Sequence, residues 1–294
     1  MKVARHTMPE IAYHLIEPER RTTGTVFASP HSGRDYPADF LARTILDASA
    51  IRSSEDAFVE RLFDAAPRMG APLLHATAPR AFVDLNRSAD ELDPALIEGV
   101  RANGHNPRLS SGLGVIPRVV SNGRAIYAGK LSRQEADRRI VTCWQPYHAA
   151  LAAELEAAHA RFGQAILIDC HSMPHEAMDQ FTQKGARRPD VVLGDRFGAS
   201  ASGAIVDRIE AAFRAAGLMV TRNTPFAGAY VTQRYGRPSR GRHVVQVEID
   251  RALYMDERRI EPNADFEAFR ALLTGVIAQI AEIGRPREQR LAAE

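Results

Sequence analysis

The stretch AILIDCHS at residues 165–172 decides the fold that we expect for this chain. It opens with four apolar residues and closes on the polar run Asp169, Cys170, His171 and Ser172. A short apolar run bounded by turn residues is typical of a strand that is buried on both faces. AILIDCHS therefore predicts an inner strand that ends in polar, chemically active side chains.

Similar apolar runs recur along the chain, separated by longer stretches with helical periodicity. This alternation predicts an α/β fold with a mixed, mainly parallel sheet that is flanked by helices. We expect strands at residues 23–29, 72–77, 81–85, 165–170, 190–194, 218–223 and 243–249.

Helix boundaries are marked by capping residues. Ser53 and Ser54 predict the start of a helix that runs to about Met69. Ser132 and Glu135 form a capping box for a long helix that breaks at Gly163. Two further helices are expected near residues 198–216 and 264–284, and an irregular excursion at about 88–130.

Composition limits the classes of protein to which the chain can belong. With 294 residues, 45% hydrophobic and 25% charged, it suits a globular protein, and without a linker-like tract we expect one domain over residues 1–294. Two cysteines exclude a disulfide framework, and a net charge of +2 argues against a polyanion-binding protein. No segment approaches the roughly 20 apolar residues of a membrane span, so a cytoplasmic protein is expected.

Polar signatures follow three of the predicted strands: residues 30–33 (PHSG), 84–87 (DLNR) and 169–172 (DCHS). Carboxyl ends of parallel strands form the ligand crevice of an open sheet, so we expect these residues to converge. Neutral imidazole and carboxylate are ligands that suit zinc. His31 and His171 provide two ligands. The third ligand is expected to be a carboxylate, from Glu55, Asp56 or Asp35.

Seven motifs in order carry a resemblance to a known family. They are PHSGRDYP, SSEDAFVERLF, PRAFVDLNRS, ILIDCHSMP, GDRFG, TRNTPFAGAYVTQRYGRP and VVQVEIDRALYMDE. Together, from about His31 to Glu257, they resemble the N-formylglutamate amidohydrolase family. The DLNR and VEID elements also resemble the wider zinc carboxypeptidase and aspartoacylase group, which implies a fold of the phosphorylase/hydrolase type.

The resemblance implies a site with one Zn²⁺ per chain. Its ligands would be His31, Asp56 and His171, although a slip of one residue in the alignment would give the role of Asp56 to Glu55. Glu248 stands where the related zinc peptidases carry their general base.

The resemblance also implies residues that contact the substrate. Arg80 would polarise the scissile carbonyl, as in the aspartoacylase-like enzymes. Candidates for binding the substrate's carboxylates are Asn86, Arg87, Arg222, Tyr230 and Arg234.

The implied activity is a zinc-dependent amidohydrolase that cleaves a linear amide C–N bond. N-formyl-L-glutamate would give formate and L-glutamate, a reaction of histidine catabolism. A related N-acyl amino acid deacylase, or a carboxypeptidase-like hydrolase of different acyl specificity, is the near alternative, and a non-catalytic, Arg-rich binding protein is the distant one. We expect a small-molecule N-acyl amino acid as partner, with no nucleic acid and no membrane.

Several other polar residues have structural explanations. His175 and Glu176 begin like the H-E-x-x-H metalloprotease motif, but Asp179 stands where the second His belongs. We expect His148 to be a surface or satisfied core residue and Cys170 to be a buried, inert thiol.

Overall fold

The structure of the protein is a computed structural model that describes residues 11–101, 106–182 and 187–286. The chain groups into two compact units, each assembled from separate stretches of sequence. One contains the described residues of Met1–His14, Pro30–Ala57 and His75–Ala150, and the other those of Leu15–Ser29, Phe58–Leu74 and Leu151–Glu294. The expectation of a single domain stays a prediction.

A mixed sheet runs through the described part of the chain, with seven strands in the order β1-β3-β2-β4-β7-β5-β6. The strands β2 and β4, β4 and β7, and β5 and β6 pair in parallel, whereas β5 runs antiparallel to β7. This confirms the predicted fold class. The strands are β1 Tyr13–Ile16, β2 Thr25–Ser29, β3 Leu73–Ala76, β4 Ala165–Met173, β5 Val191–Gly194, β6 Val220–Arg222, β7 Arg242–Asp250 and a separate pair, β8 Met255–Asp256 and β9 Glu261–Pro262.

Helices occupy the connections. The α-helices are α1 Ala38–Leu41, α2 Val59–Leu62, α3 Pro107–Ser110, α4 Arg133–Arg139, α5 Gln145–Phe162, α6 Gly203–Ala215, α7 Tyr230–Tyr235 and α8 Phe266–Ile283. A π-helical turn, Ile140–Trp144, joins α4 to α5, and short 3₁₀ turns cover Ala50–Arg52, Pro67–Met69, Ser121–Gly123, His175–Met178, Pro238–Arg240 and Arg251–Leu253. None of the described helices combines the length and the apolar character that crossing a membrane requires.

The strands β4 and β7 form the centre of the second unit. All nine residues of β4 are buried, and so is every residue of β7 after Arg242. Helix α8 packs against β2 and α6 and buries an apolar stripe at helical spacing. The amino acids of the strand pair are therefore shielded on both faces, which matches the strand that AILIDCHS predicts.

The predicted helix start at Ser132 is confirmed, but the capping box is only half formed, because the Glu135 carboxylate binds Arg138 and Arg139. The Ser132 hydroxyl accepts a hydrogen bond from the Glu135 backbone N–H at 3.2 Å, and the helical stretch ends just before Gly163, whose φ is 71°. The helices predicted near 198–216 and 264–284 are confirmed as α6 and α8.

Two element predictions were wrong, and besides the short pair β8 and β9 one strand of the seven-stranded sheet was missed. Residues 81–85 form no strand: they are a buried turn in which the Phe82 and Val83 N–H groups donate to Pro79. The helix predicted from Ser53 to Met69 is reduced to α2, because Phe58 has a φ of 66° and interrupts the helical backbone. The missed strand is β1, whose four residues alternate between half-buried and exposed.

Candidate metal centre

His31 and Asp56 are held together by their backbones as well as by their side chains. His31 lies two residues beyond the end of β2, and its carbonyl accepts the Asp56 N–H at 3.0 Å. The carboxylate atom Oδ2 of Asp56 is then 3.5 Å from Nδ1 of His31. Both side chains are almost fully buried, with 2% of each exposed to solvent. A buried carboxylate oxygen and an imidazole nitrogen that face each other are a pair of ligand atoms that suits a metal cation.

His171 lies in β4, the strand that pairs with β2. One ligand atom from each of His31, Asp56 and His171 lies within 4.8 Å of the others, and all three residues are buried. Such spacing is consistent with one metal ion held by two imidazoles and one carboxylate. The predicted ligands therefore meet, although they are distant in sequence.

Each histidine of this triad also contacts a second carboxylate. Nε2 of His31 is 2.8 Å from Oδ1 of Asp84, and Nε2 of His171 is 3.1 Å from Oδ1 of Asp169. In metal sites, a carboxylate on the outer nitrogen fixes the ring orientation and makes the other nitrogen a better ligand. The donor set and its surroundings thus fit a zinc ion. Both aspartates stand in motifs of the sequence, but no pattern there indicates this role.

The Asp84 carboxylate connects His31 with neighbouring polar and charged groups. It contacts Nε2 of His31, accepts hydrogen bonds from the Asn86 N–H at 2.8 Å and from Nε of Arg80 at 3.1 Å, and lies near Arg87. Burial alone would raise the pKa of Asp84, but its contact with His31 and the guanidinium charges of Arg80 and Arg87 hold it well below its usual range. Asp84 is therefore an anion.

The two other carboxylates considered as ligands lie elsewhere. Glu55 is buried, and its carboxylate accepts the Tyr36 hydroxyl at 2.6 Å and both Nε and Nη2 of Arg52, at 2.9 and 3.0 Å. Burial and the neighbouring Glu55 charge raise the pKa of Tyr36, so it remains a hydroxyl donor. Asp35 is exposed. The structure accordingly groups Asp56, rather than Glu55 or Asp35, with the two histidines.

Glu248 is aligned with His171 by sheet register. The strands β4 and β7 are parallel neighbours in which His171 is the partner of Glu248, and Asp169 that of Gln246. Side chains two residues apart in a strand share a face, so all four polar groups lie on the same side of the sheet. Glu248 is buried, and its Oε1 accepts a hydrogen bond from Gln246 at 2.8 Å. Gln246 was missed from the sequence, although its spacing from Glu248 was visible.

The segment of residues 80–87 is irregular, and side chains from one continuous helical stretch, formed by α4, the π-helical turn and α5, hold it in place. Nη1 of Arg139, Nε2 of His148 and Nε1 of Trp144 donate to the carbonyls of Phe82, Leu85 and Arg87 at 3.1, 2.9 and 2.9 Å, respectively. Arg139 directly precedes the π-helical turn, and Trp144 is the last residue of that turn. These three donors take the place of strand pairing, because buried carbonyls need partners.

Arg80 and Arg87 differ in how they are held. Arg87 is buried and donates from Nε to Leu113 and from Nη1 to its own neighbour Asn86, both at 3.1 Å. Burial lowers the pKa of its guanidinium. Arg80 is about a quarter exposed and, together with Asp84, lines a cavity of about 370 Å³ whose other walls come mainly from residues 111–123. This cavity gives a small molecule access to Arg80.

The three remaining substrate candidates have different surroundings. Arg222 donates from Nε to Glu210 at 2.5 Å and from Nη2 to Asp207 at 2.7 Å, so two carboxylates of α6 already bind its guanidinium. Tyr230 begins α7 and is half-buried, whereas Arg234 is exposed on the same helix. Tyr230 and Arg234 are therefore the better placed candidates for substrate contact in this part of the chain.

The residues given structural explanations lie as expected. His148 is a satisfied core residue, since its Nε2 binds the Leu85 carbonyl. His175 pairs through Nδ1 with Asp250 at 2.7 Å. Cys170 is fully buried, and burial raises its pKa well above the usual value, which leaves an unreactive thiol.

Comparison with known proteins agrees with this geometry. The family model of N-formylglutamate amidohydrolase matches residues 23–255. An N-formylglutamate deformylase from Pseudomonas aeruginosa is 32% identical over 268 residues, which cover 89% of this chain and 94% of that protein. A second one, from Pseudomonas putida, is 28% identical over 235 residues, 79% of this chain and 82% of that protein.

Solved structures give the same result. The crystal structure of N-formylglutamate amidohydrolase from Ralstonia eutropha JMP134 superposes with a TM-score of 0.86 at 38% identity, covering 93% of this chain and 98% of that one. A gene product of Agrobacterium tumefaciens has the same fold, with a TM-score of 0.65 at 16% identity and coverage of 93% and 96%. The resemblance found in the sequence motifs is confirmed, and the chain belongs to the N-formylglutamate amidohydrolase family.

Proposed function

We propose that this protein is a zinc-dependent amidohydrolase that converts N-formyl-L-glutamate and water into formate and L-glutamate. The observation that carries the proposal is the convergence of His31, Asp56 and His171, whose ligand atoms lie within 4.8 Å of one another. The names of the relatives support the substrate, because two of them are N-formylglutamate deformylases.

His31, Asp56 and His171 would hold one zinc ion per chain. Two neutral imidazoles and one carboxylate form a common catalytic zinc set, which leaves one position for chemistry. Bound there, zinc would supply Lewis-acid polarisation of the formyl carbonyl. Asp84 and Asp169 would fix the orientation of the two rings, because Asp84 lies 2.8 Å from Nε2 of His31 and Asp169 lies 3.1 Å from Nε2 of His171.

Glu248 is the proposed proton carrier. It takes a proton from the attacking water and then delivers it to the amide nitrogen as the C–N bond breaks. Water contributes its oxygen to formate, and the amine of glutamate receives the proton, so the atoms balance. The sheet register supports this role, because it places Glu248 beside His171.

Arginines and their neighbours complete the proposed site. Arg80 lines a cavity of about 370 Å³ and would stabilise the negative charge that develops on the formyl oxygen. Asn86, Arg87, Tyr230 and Arg234 are proposed to hold the glutamate carboxylates. A fixed, bidentate cation such as Arg suits carboxylate recognition.

The setting of this reaction is also a proposal. We infer that the enzyme acts in the cytoplasm on a free amino acid derivative, without nucleic acid or membrane as partner. The family resemblance suggests a place in histidine catabolism, and we propose that residues 1–294 work as one domain.

An activity panel tests the proposal. Purified protein is incubated with the N-formyl, N-acetyl and N-succinyl derivatives of glutamate, and with N-formyl derivatives of aspartate and leucine. We expect release of formate from N-formyl-L-glutamate to be fastest, together with about one zinc per chain by elemental analysis. Faster cleavage of an N-acetyl or N-succinyl substrate would identify the protein as one of the related deacylases. No cleavage at all, together with steeply salt-dependent oligonucleotide binding, would favour a non-catalytic, Arg-rich binding protein.

A further inference from the structure

Gln246 stands next to the proposed proton carrier on strand β7. It precedes Glu248 by two residues, and the two side chains share a face of the sheet. Both are buried, with 5% and 7% of their surfaces exposed. A buried amide beside a buried carboxylate needs specific hydrogen-bond partners, so its orientation has consequences.

Hydrogen bonds at both ends fix the amide of Gln246. Its Oε1 accepts the backbone N–H of Ala229 at 3.1 Å, and its Nε2 donates to Oε1 of Glu248 at 2.8 Å. A backbone N–H can only donate, so the amide atom that faces Ala229 must be the oxygen. The NH₂ group then faces Glu248, whose carboxylate accepts. The orientation of the amide follows from the network.

The backbone around Ala229 is itself held in place. Gly194 of β5 is the register partner of Gln246, and a Cβ on Gly194 would lie 2.7 Å from backbone atoms of Ala227 and Gly228. Ala227 also accepts the Arg196 N–H at 2.8 Å. The chain therefore lies directly on the sheet at this point, and the Ala229 N–H has a defined position just before α7 begins.

We propose that Gln246 is a positioning residue that orients the Glu248 carboxylate for proton transfer and couples it to the backbone entering α7. This inference rests on the proposed function, in which Glu248 carries the proton. A neutral amide suits the task, because it orients the carboxylate without adding a full charge. An arginine in its place would stabilise the anion and make Glu248 a weaker base.

Kinetics of Gln246→Met test the role. Methionine is similar in size and removes both hydrogen bonds. We expect kcat on N-formyl-L-glutamate to fall about 10- to 100-fold, as for residues that orient active-site ligands, with KM and zinc content unchanged. The matched control is Gln233→Met, at an exposed position of α7, which should keep wild-type kinetics. A kcat within twofold of wild type, or a change confined to KM, would overturn the proposal.

Hydrogen exchange at the Ala229 amide gives a second measurement that needs no activity. Gln246→Met should accelerate this exchange, whereas Gln246→Glu keeps an acceptor for Ala229 and should preserve the protection while lowering kcat. Unchanged exchange in Gln246→Met would show that the link is absent. If wild-type protein cleaves no N-formyl amino acid, the proposed function fails; if it does and Gln246→Met is equally active, only the role of Gln246 fails.

Discussion

Two regions of the molecule present chemical groups in opposite ways. On the strand pair β4 and β7, Asp169, His171, Gln246 and Glu248 are aligned by parallel register. In the segment of residues 80–87 there is no strand, and the backbone carbonyls are held by side chains of one helix. The first region depends on a repeating pattern, and the second on individual tertiary contacts. Substitutions should therefore have different effects in the two regions.

Asp56, like residues 80–87, lies outside the strands. Substitution of Asp56 should have the largest effect. Asp56→Ala removes the proposed carboxylate ligand, so we expect loss of zinc and activity near background. The neighbouring variant Glu55→Ala is the matched control: it breaks the contacts to Arg52 and Tyr36 but should retain zinc. Elemental analysis of both proteins decides, and depletion in Glu55→Ala alone would reverse the assignment.

Glu248→Gln tests the strand pair. The amide keeps the shape of the side chain but cannot accept a proton, so we expect kcat to fall about 10²- to 10⁴-fold while zinc stays bound. Glu261→Gln, at an exposed position, controls for the same substitution. Turnover near the wild-type rate in Glu248→Gln would remove this residue from the mechanism.

Asp84→Asn tests the irregular segment. Loss of the carboxylate behind His31 should weaken zinc binding about 10- to 100-fold, as measured by competition with a chelator. The pH dependence of stability should change as well. The pKa of Asp84 is lowered in the folded protein, whereas in the unfolded chain it has the ordinary value of about 4. The ionised carboxylate therefore stabilises the fold fully at pH values above about 4.

That stabilisation is lost as the pH falls from about 4 through the lower folded pKa. Urea unfolding of the metal-free proteins should therefore show a steeper loss of stability below pH 4 in wild type than in Asp84→Asn. Parallel pH profiles would contradict an ionised, stabilising Asp84.

Trp144→Phe should have the smallest effect and would sharpen the contrast between regions. It keeps an aromatic ring but removes the donor to the Arg87 carbonyl. We expect a loss of about 1 kcal/mol in unfolding free energy and up to fivefold in KM, with kcat unchanged. Val141→Ala, an exposed position in the same π-helical turn, is the control. A fall in kcat without a rise in KM would show that Trp144 acts on the chemistry rather than on the proposed substrate contacts of residues 80–87.

Much of the strand pair could be predicted from the sequence. Apolar runs with polar ends marked β4 and β7, and the motifs identified His31, His171 and Glu248 before any distance was known. The two-residue spacing of Asp169 and His171 was visible in the sequence, but this spacing shows only that both side chains point to the same face of the strand. Which neighbour meets that face depends on strand order, and β7 pairs with β4 only after a long crossover.

The irregular segment shows the limit of that reasoning. The apolar run AFVDL at residues 81–85 suggested a strand, yet it is a buried turn, because side chains of a distant helix satisfy its carbonyls. No periodicity encodes such contacts.

By itself the sequence determined the family, the α/β class and the residue types of the candidate metal centre, because these follow from local pattern and from motifs. The tertiary structure decided that Asp56 rather than Glu55 faces His31, that Arg222 is bound by Glu210, and that Asp84 contacts His31 and Gln246 contacts Glu248. The physical reason is that hydrogen bonds and charges act over a few ångströms, so the partner of a side chain depends on which distant segments folding brings into contact.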